Sequence, residues 1–447
     1  MAKLPLEGIR VADITVIWAG PYASMLLADW GAEVIRVESR QHWQVYTRAH
    51  LAKLSQRFVF EMCAPYGYGA YCRQGYDPKR GGINRWCLFN AHARNKLSMT
   101  VDLSRAEGLH IFKRLIRVSD IFVESNPPLV KVRLGITYDV LREVKPDLIM
   151  ISMPGFGQYG PYKEYKALGA HQEGFLGHTY VRGYPDMDIG TNTTVYHTDE
   201  AGGVHAVFAL LTALHYRNRT GKGQFIDLAQ AEATMPQLGE AIMDYTMNRR
   251  VVERTGNRDI HSAVQGCYLC KGAEPGFGTP PGEDKWVNIT ISNDEQWEGL
   301  CRTMGRPELT GDERFSDQLA RLRNHDEVDR VIGEWTRQHD HYAIMHMLQK
   351  EGVPAGPVLD DRSAYNDPHL KERGFFQPLT HAECGTHLYP GLAWRLSKTP
   401  NRLRLPPCMF GEHNEYVYRK VIGVSDEEYA RLEAGGHIGI DFVPELP

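Results

Sequence analysis

The chain has 447 residues, 42% of them apolar and 24% charged, an ordinary globular balance with length enough for two or three domains. Lys+Arg 51 against Asp+Glu 55 leaves a formal net charge of −4, which excludes nucleic-acid or anionic-membrane binding through bulk charge. No apolar run approaches the roughly 18 residues of a membrane span, and Met1–Gly8 lacks a signal-peptide core, so a cytoplasmic protein with no nucleic-acid or membrane partner is expected.

In chain order, Ile9–Ile14 reads as a strand and Tyr22–Trp30 as a helix, with Pro21 just inside its start and Gly31 just past its end. Glu33–Glu38 is the next strand. The first loop, Thr15–Pro21, carries no G-x-G-x-x-G, so a nicotinamide dehydrogenase is not indicated. Residues 41–94 show no period but are rich in aromatics, read equally as a self-packed excursion or as a wall for a hydrophobic substrate or subunit. Ser98–Leu103, Asp120–Glu124 and Leu148–Met153 read as strands, with helices Arg105–Val118 (capped by Ser104) and Tyr138–Val144 between them. This alternation implies an α/β fold with a largely parallel sheet. The glycine loop Pro154–Tyr162, with Gly155, Gly157 and Gly160, follows a strand end, where such sheets bind ligands.

Beyond it, Asp199–Tyr216 reads as an apolar helix with a basic end, and a helical stretch from about 225 to 250 leads into a smaller domain. That domain carries a strand at Trp286–Ile291 and helices at Glu295–Met304 and Leu319–His339. The expected division is 1–224 for the large domain, 225–344 for a linker helix and small domain, and 345–447 for a return to the first. Eight scattered cysteines suggest reduced thiols, and Cys267-x-x-Cys270 lacks the partners of a zinc site, so no metal is expected.

Several stretches together resemble one family. They are Leu6–Asp13, Ala19-Gly20-Pro21, Leu27–Glu38, Asn95-Lys96-x-Ser98, Gly155-Phe156-Gly157-x-x-Gly160-Pro161-Tyr162, Arg219–Gln224, Gly256-Asn257-Arg258, Gly352–Val358 and Gly411-Glu412-His413. In this order the chain resembles the class III CoA-transferases, the carnitine-dehydratase and formyl-CoA-transferase family. The resemblance implies a Rossmann-like large domain built from both chain ends, a smaller inserted domain, and two subunits threaded as an interlocked ring dimer. It implies a coenzyme A thioester as substrate, with no tightly bound cofactor, and a carboxylic acid as acceptor. An Asp carboxylate of the family attacks the thioester to form a mixed anhydride and then an enzyme-bound CoA thioester.

At that Asp position this chain has Gly169, within Lys166–Gly174, and the next carboxylate is Glu173, one turn on if the segment is helical. The Gly-then-Glu pattern resembles Asp-lacking subunits of two-subunit CoA-transferases, such as those that activate benzylsuccinate. Three readings stay open. The chain works with an Asp-bearing homologous subunit, it is a self-sufficient transferase using Glu173, or it is a non-catalytic CoA-binding scaffold. His171 is a candidate acid or base, and His197, Asp199 and Glu200 are expected as an N-cap cluster. The resemblance places CoA at Ile17, Trp18, Ala19, Arg40, Asn95 and Lys96. Lys131 and Arg133 compensate for Pro127, which stands where the family carries an Arg. The acid is expected to be bulky or aromatic, and the partner a second copy or a homologue.

Overall fold

The computed structural model describes residues 3–44, 47–48, 82–192, 196–276, 280, 282–444 and 446. Residues 45–46 and 49–81, most of the aromatic-rich stretch, lie outside them, and so does the substrate wall expected there. Two compact units result, one of residues 1–178, 194–243 and 375–447, the other of 179–193 and 244–374.

The first unit is built on six strands: β1 (Arg10–Asp13), β2 (Glu33–Glu38), β3 (Lys96–Thr100), β4 (Ile121–Glu124), β5 (Ile149–Ser152) and β6 (Gln224–Asp227). Their order is β3-β2-β1-β4-β5-β6, and every pairing is parallel. That is the doubly wound order, with its reversal between β1 and β4. The central strands are apolar without alternation because both faces are covered; β4 and β5 are buried at every residue.

Four helices position the site: α1 (Ala19–Asp29), α2 (Ala106–Arg117), α3 (Gly169–Leu176) and α4 (His197–Thr220). On α2, Gly108, Ile111, Phe112, Leu115 and Ile116 form the buried stripe that a 3.6-residue period predicts. It joins a core with Ala12, Ile35, Phe122 and, from the chain's end, Val417, Tyr418 and Leu432. The other face buries Ala23 and Leu27 of α1 with Leu210 and Ala213 of α4 against Val11 and Ile151. The expected Ser104 cap is replaced: Asp102 Oδ1 accepts from Ser104 N at 3.0 Å and from its hydroxyl at 2.6 Å, and Arg105 opens α2.

Two expectations differ from the structure. Gln224–Asp227, taken into a helical stretch, is edge strand β6; four residues are too few to show a period, and β5 supplies the pairing. The second unit takes in residues 179–193, its main stretch begins at 244 after the helix Gly239–Asn248 has started, and that stretch ends at 374, not near 345. Its sheet explains the later return: β7 (Gln265–Leu269), β8 (Trp286–Thr290) and β9 (Ala355–Val358) are antiparallel neighbours, so Gly352–Val358 belongs here. Within this unit Asn257 donates to Tyr184 Oη at 2.6 Å, and Arg258 binds Asp326 and Asp329, so that motif is a structural clasp. Cys267 and Cys270 are free thiols flanking the end of β7, and burial pushes Cys270 up to about 12, as expected of structural cysteines. Strands β10 (Phe376–His381) and β11 (Gly385–Pro390) form a hairpin in the first unit.

Candidate active site

The reversal in strand order opens a crevice beyond the ends of β1 and β4, and the two loops meet there: Val16 N donates to Ser125 Oγ at 3.1 Å. Ile17 holds a left-handed φ of 68° while its N–H bonds Thr47 Oγ1. Trp18 then opens α1, its ring 5.2 Å from His92 and 5.5 Å from Tyr196. Ile17, Trp18 and Ala19 therefore stand at the crevice that such folds use for ligands.

The glycine loop stands at the end of β5. Gly157 and Gly160 have φ of 80° and 89°, conformations a side chain would strain. Gln158 ties it down, its N–H bonding both Asp227 oxygens at 3.0 and 3.1 Å and its Nε2 donating to Ser152 Oγ at 2.6 Å. A Cβ on Gly155 would lie 3.2 Å from Gln172 Nε2, so α3 lies directly against the loop. Phe156, Tyr162 and Phe175 meet edge to face, and Tyr165 stacks on Tyr162 at 5.0 Å. This aromatic cluster lies on the loop and α3, whereas the sequence pointed to aromatics only within 41–94.

Other candidate residues lie elsewhere. Arg40 donates from Nε to Asp441 O at 2.9 Å and from a terminal nitrogen to Ile438 O at 3.2 Å, fastening the C-terminal segment. Asn95 is buried, donating to Asp29 at 2.6 Å and accepting from Arg404 N and Leu405 N. Lys96 is buried with Nζ on Pro21 O and Ser24 Oγ, both at 2.8 Å; burial lowers it to about 8 against the opposing pull of Asp13. Lys131 is buried and paired with Glu124 at 2.9 Å. Arg133 is exposed on the helix Pro128–Leu134. Of these five, Arg40, Asn95, Lys96 and Lys131 are engaged with other parts of the fold, and Arg133 is exposed. A separate shallow recess lies at the end of β2, lined by Glu38, His42, Arg48 and Phe442 among others.

The space beside Gly169, where the resemblance leads one to expect an Asp, is occupied. Gly169 is the first residue of α3, and a Cβ there would overlap Asp199 Oδ2 and lie 3.2 Å from its Cγ. The space a side chain at 169 would enter is filled by the Asp199 carboxylate. The N-cap role expected from sequence is not what Asp199 does: the N-cap of α4 is Tyr196, which makes no side-chain capping bond. Its carboxylate instead bonds the backbone N–H of Ala19, the first residue of α1. Burial pushes it up to about 6, with the Glu173 and Glu200 charges adding and the Ala19 N–H opposing.

Glu173, the expected alternative nucleophile, is 1% exposed, and its Oε1 accepts from His197 N at 2.6 Å. It caps the 24-residue α4 in place of a local cap. His171 Nδ1 accepts from Leu168 N at 3.2 Å, closing the first turn of α3. His178 Nε2 and His197 Nδ1 lie 3.4 Å apart near Glu173. The cap and the imidazole pair account for this group without an ion.

The model of "CoA-transferase family III" matches residues 6–414. The chain belongs to CoA-transferase family III. A family III chain uses a CoA thioester as substrate and needs no tightly bound cofactor. Among its relatives, the succinyl-CoA–L-malate CoA-transferase beta subunit of Chloroflexus aurantiacus is 30% identical, the alignment covering 96% of this chain and 97% of that one. The formyl-CoA:oxalate CoA-transferase of Streptomyces coelicolor is 29% identical over 98% of this chain and 100% of the other. A solved CaiB/BaiF family protein of Brucella suis superposes with a TM-score of 0.77 at 27% identity, covering 94% of this chain and all of that one.

Proposed function

We propose that this family III chain passes CoA from an acyl-CoA to an organic acid within its own crevice, as a homodimer or beside a homologous subunit. The observation that supports it is the convergence of four features. They are the loop Ile17–Ala19, the glycine loop, the helix start at Gly169 and a carboxylate in the space of the absent family side chain. Backbone N–H groups of the glycine loop would stabilise the tetrahedral oxyanions, and the loop's aromatic cluster would shield an anhydride from water. CoA would enter over Trp18 and the α1 start.

The relatives named for malate and oxalate favour a small polar acid, whereas Phe156, Tyr162, Tyr165 and Phe175 favour an acid with an aromatic or bulky end. The second is our reading for this chain, because the cluster joins the glycine loop to α3, the helix that Gly169 opens. One further arrangement has its own support: Gly169 itself, together with likeness to a subunit of a two-subunit enzyme, favours a partner that carries the Asp. An interlocked pair is supported in either case by Val204, Phe208 and Leu211, which lie exposed along one face of α4. The test is label exchange between an acyl-CoA and free acids by the purified chain, alone and with an Asp-bearing homologue. Exchange by the chain alone supports the first arrangement, exchange only in the mixture supports the second, and none in either contradicts CoA transfer.

A further inference from the structure

We propose that Asp199 is the nucleophilic carboxylate of this chain, standing in from α4 for the side chain that Gly169 lacks on α3. The inference rests on the CoA-transfer reading and assigns the residue that performs it. Three observations carry it. First, Oδ2 of Asp199 lies where the Cβ of a side chain at 169 would start, so a carboxylate from a different helix stands directly against the first residue of α3. Second, α4 crosses α1 at Gly203, against Ala19 and Tyr22, which brings Asp199 near the start of α1, where the Ala19 N–H and the positive helix end favour a charged carboxylate. Third, the other carboxylate near this point, Glu173, is engaged with the start of α4, while Glu200 is exposed and one residue further along the helix. Helix α4 is held close enough for this because Gly203 has no side chain: a Cβ there would lie 2.7 Å from Tyr22 and 3.1 Å from Ala19 O.

The covalent steps balance without a co-reactant. A carboxylate oxygen of Asp199 attacks the thioester carbonyl carbon, the C–S bond breaks, and CoA leaves as thiolate with a mixed anhydride on Asp199. The thiolate attacks the Asp199 carbonyl carbon, releases the donor acid as carboxylate, and leaves an Asp199–CoA thioester. The acceptor carboxylate attacks this thioester, again freeing CoA thiolate. Thiolate attack on the acceptor carbonyl yields the new acyl-CoA and returns Asp199 as a free carboxylate. No net proton is taken up.

The experiment incubates the full-length chain with succinyl-CoA or formyl-CoA, traps with hydroxylamine, and maps the modified residue by fragmentation of the peptide spanning 183–217. The expected result is a CoA-dependent hydroxamate on Asp199, absent from Asp199→Asn, together with at least a thousandfold loss of acyl exchange in that variant. Because Asp199 also holds α1, thermal melting and the far-ultraviolet spectrum of each variant are recorded. A relocation variant guards against simple misfolding: Gly169→Asp combined with Asp199→Ala regains exchange, whereas Gly169→Asp alone does not exceed the unmodified chain. An adduct on Glu173 or Glu200, or undiminished exchange by folded Asp199→Asn, overturns the assignment while CoA transfer stands. Exchange that appears only with an Asp-bearing homologue also overturns it. Absence of exchange under every condition overturns the CoA-transfer reading itself.

Discussion

Burial raises Asp199 to about 6, well above the roughly 3.9 of an unfolded aspartate, with the charges of Glu173 on α3 and Glu200 on α4 adding to the shift. A folded value above the unfolded one means the stability linked to this group is complete below about pH 4 and is lost as pH rises through 6. Ionised Asp199 therefore destabilises the fold at neutral pH by something on the order of 3 kcal/mol. Asp199→Asn, whose side-chain oxygen can still accept from Ala19, should consequently melt no lower than the unmodified chain at pH 7.5 in calorimetry. Activity needs the ionised form, so the exchange rate should fall about tenfold per pH unit below 6. Glu173→Gln removes one like charge and should move that acid limb to lower pH. It should also weaken the cap of α4 by about 1 kcal/mol, seen as a lower melting temperature with the Asp199 adduct retained. Position 169 was legible in the sequence as a vacancy, but its occupant was not. Asp199 lies thirty positions on, and a carboxylate in the first turn of a helix looks from sequence like helix-end electrostatics.

At the scale of elements, short apolar runs marked β1, β2 and β5, and the period-3.6 pattern marked α2 and α4, to within a few residues. Each has an apolar set large enough to show its face. They failed at β6 and β9, each four residues long and assigned by neighbours that only the folded sheet supplies. Lys96 and Lys131 read as phosphate ligands, but each sits beside a buried carboxylate, Asp13 and Glu124 respectively, that sequence spacing does not reveal. The crossing of α1 and α4 at Gly203 gives a prediction at this scale. Gly203→Val puts methyls where Tyr22 and Ala19 O already lie, should cost on the order of 2 kcal/mol, and should separate Asp199 from Ala19. Calorimetry would read the first effect. The second should appear as lost exchange even in preparations that remain folded.

For the whole molecule, the parallel sheet with both faces covered gives the first unit a self-sufficient core, while α4 keeps apolar residues on its outer side. Phe208 is 73% exposed, with Val204 and Leu211 beside it at helical spacing. Such a stripe on a lone subunit calls for a protein partner, and no stable folded monomer is expected at nanomolar concentration in analytical sedimentation. A well-folded 50.7 kDa species there would contradict the pairing. The doubly wound class followed from the alternation of strands and helices and from the motif order, because both report chain connectivity. The domain returns did not, because Gly352–Val358 looks the same whichever sheet receives it. The most direct measurement of Asp199 as nucleophile is isotope exchange between free acid and acyl-CoA catalysed by the purified chain alone. The expected result is exchange that disappears in folded Asp199→Asn. A folded chain that exchanges only when an Asp-bearing homologue is added would contradict it.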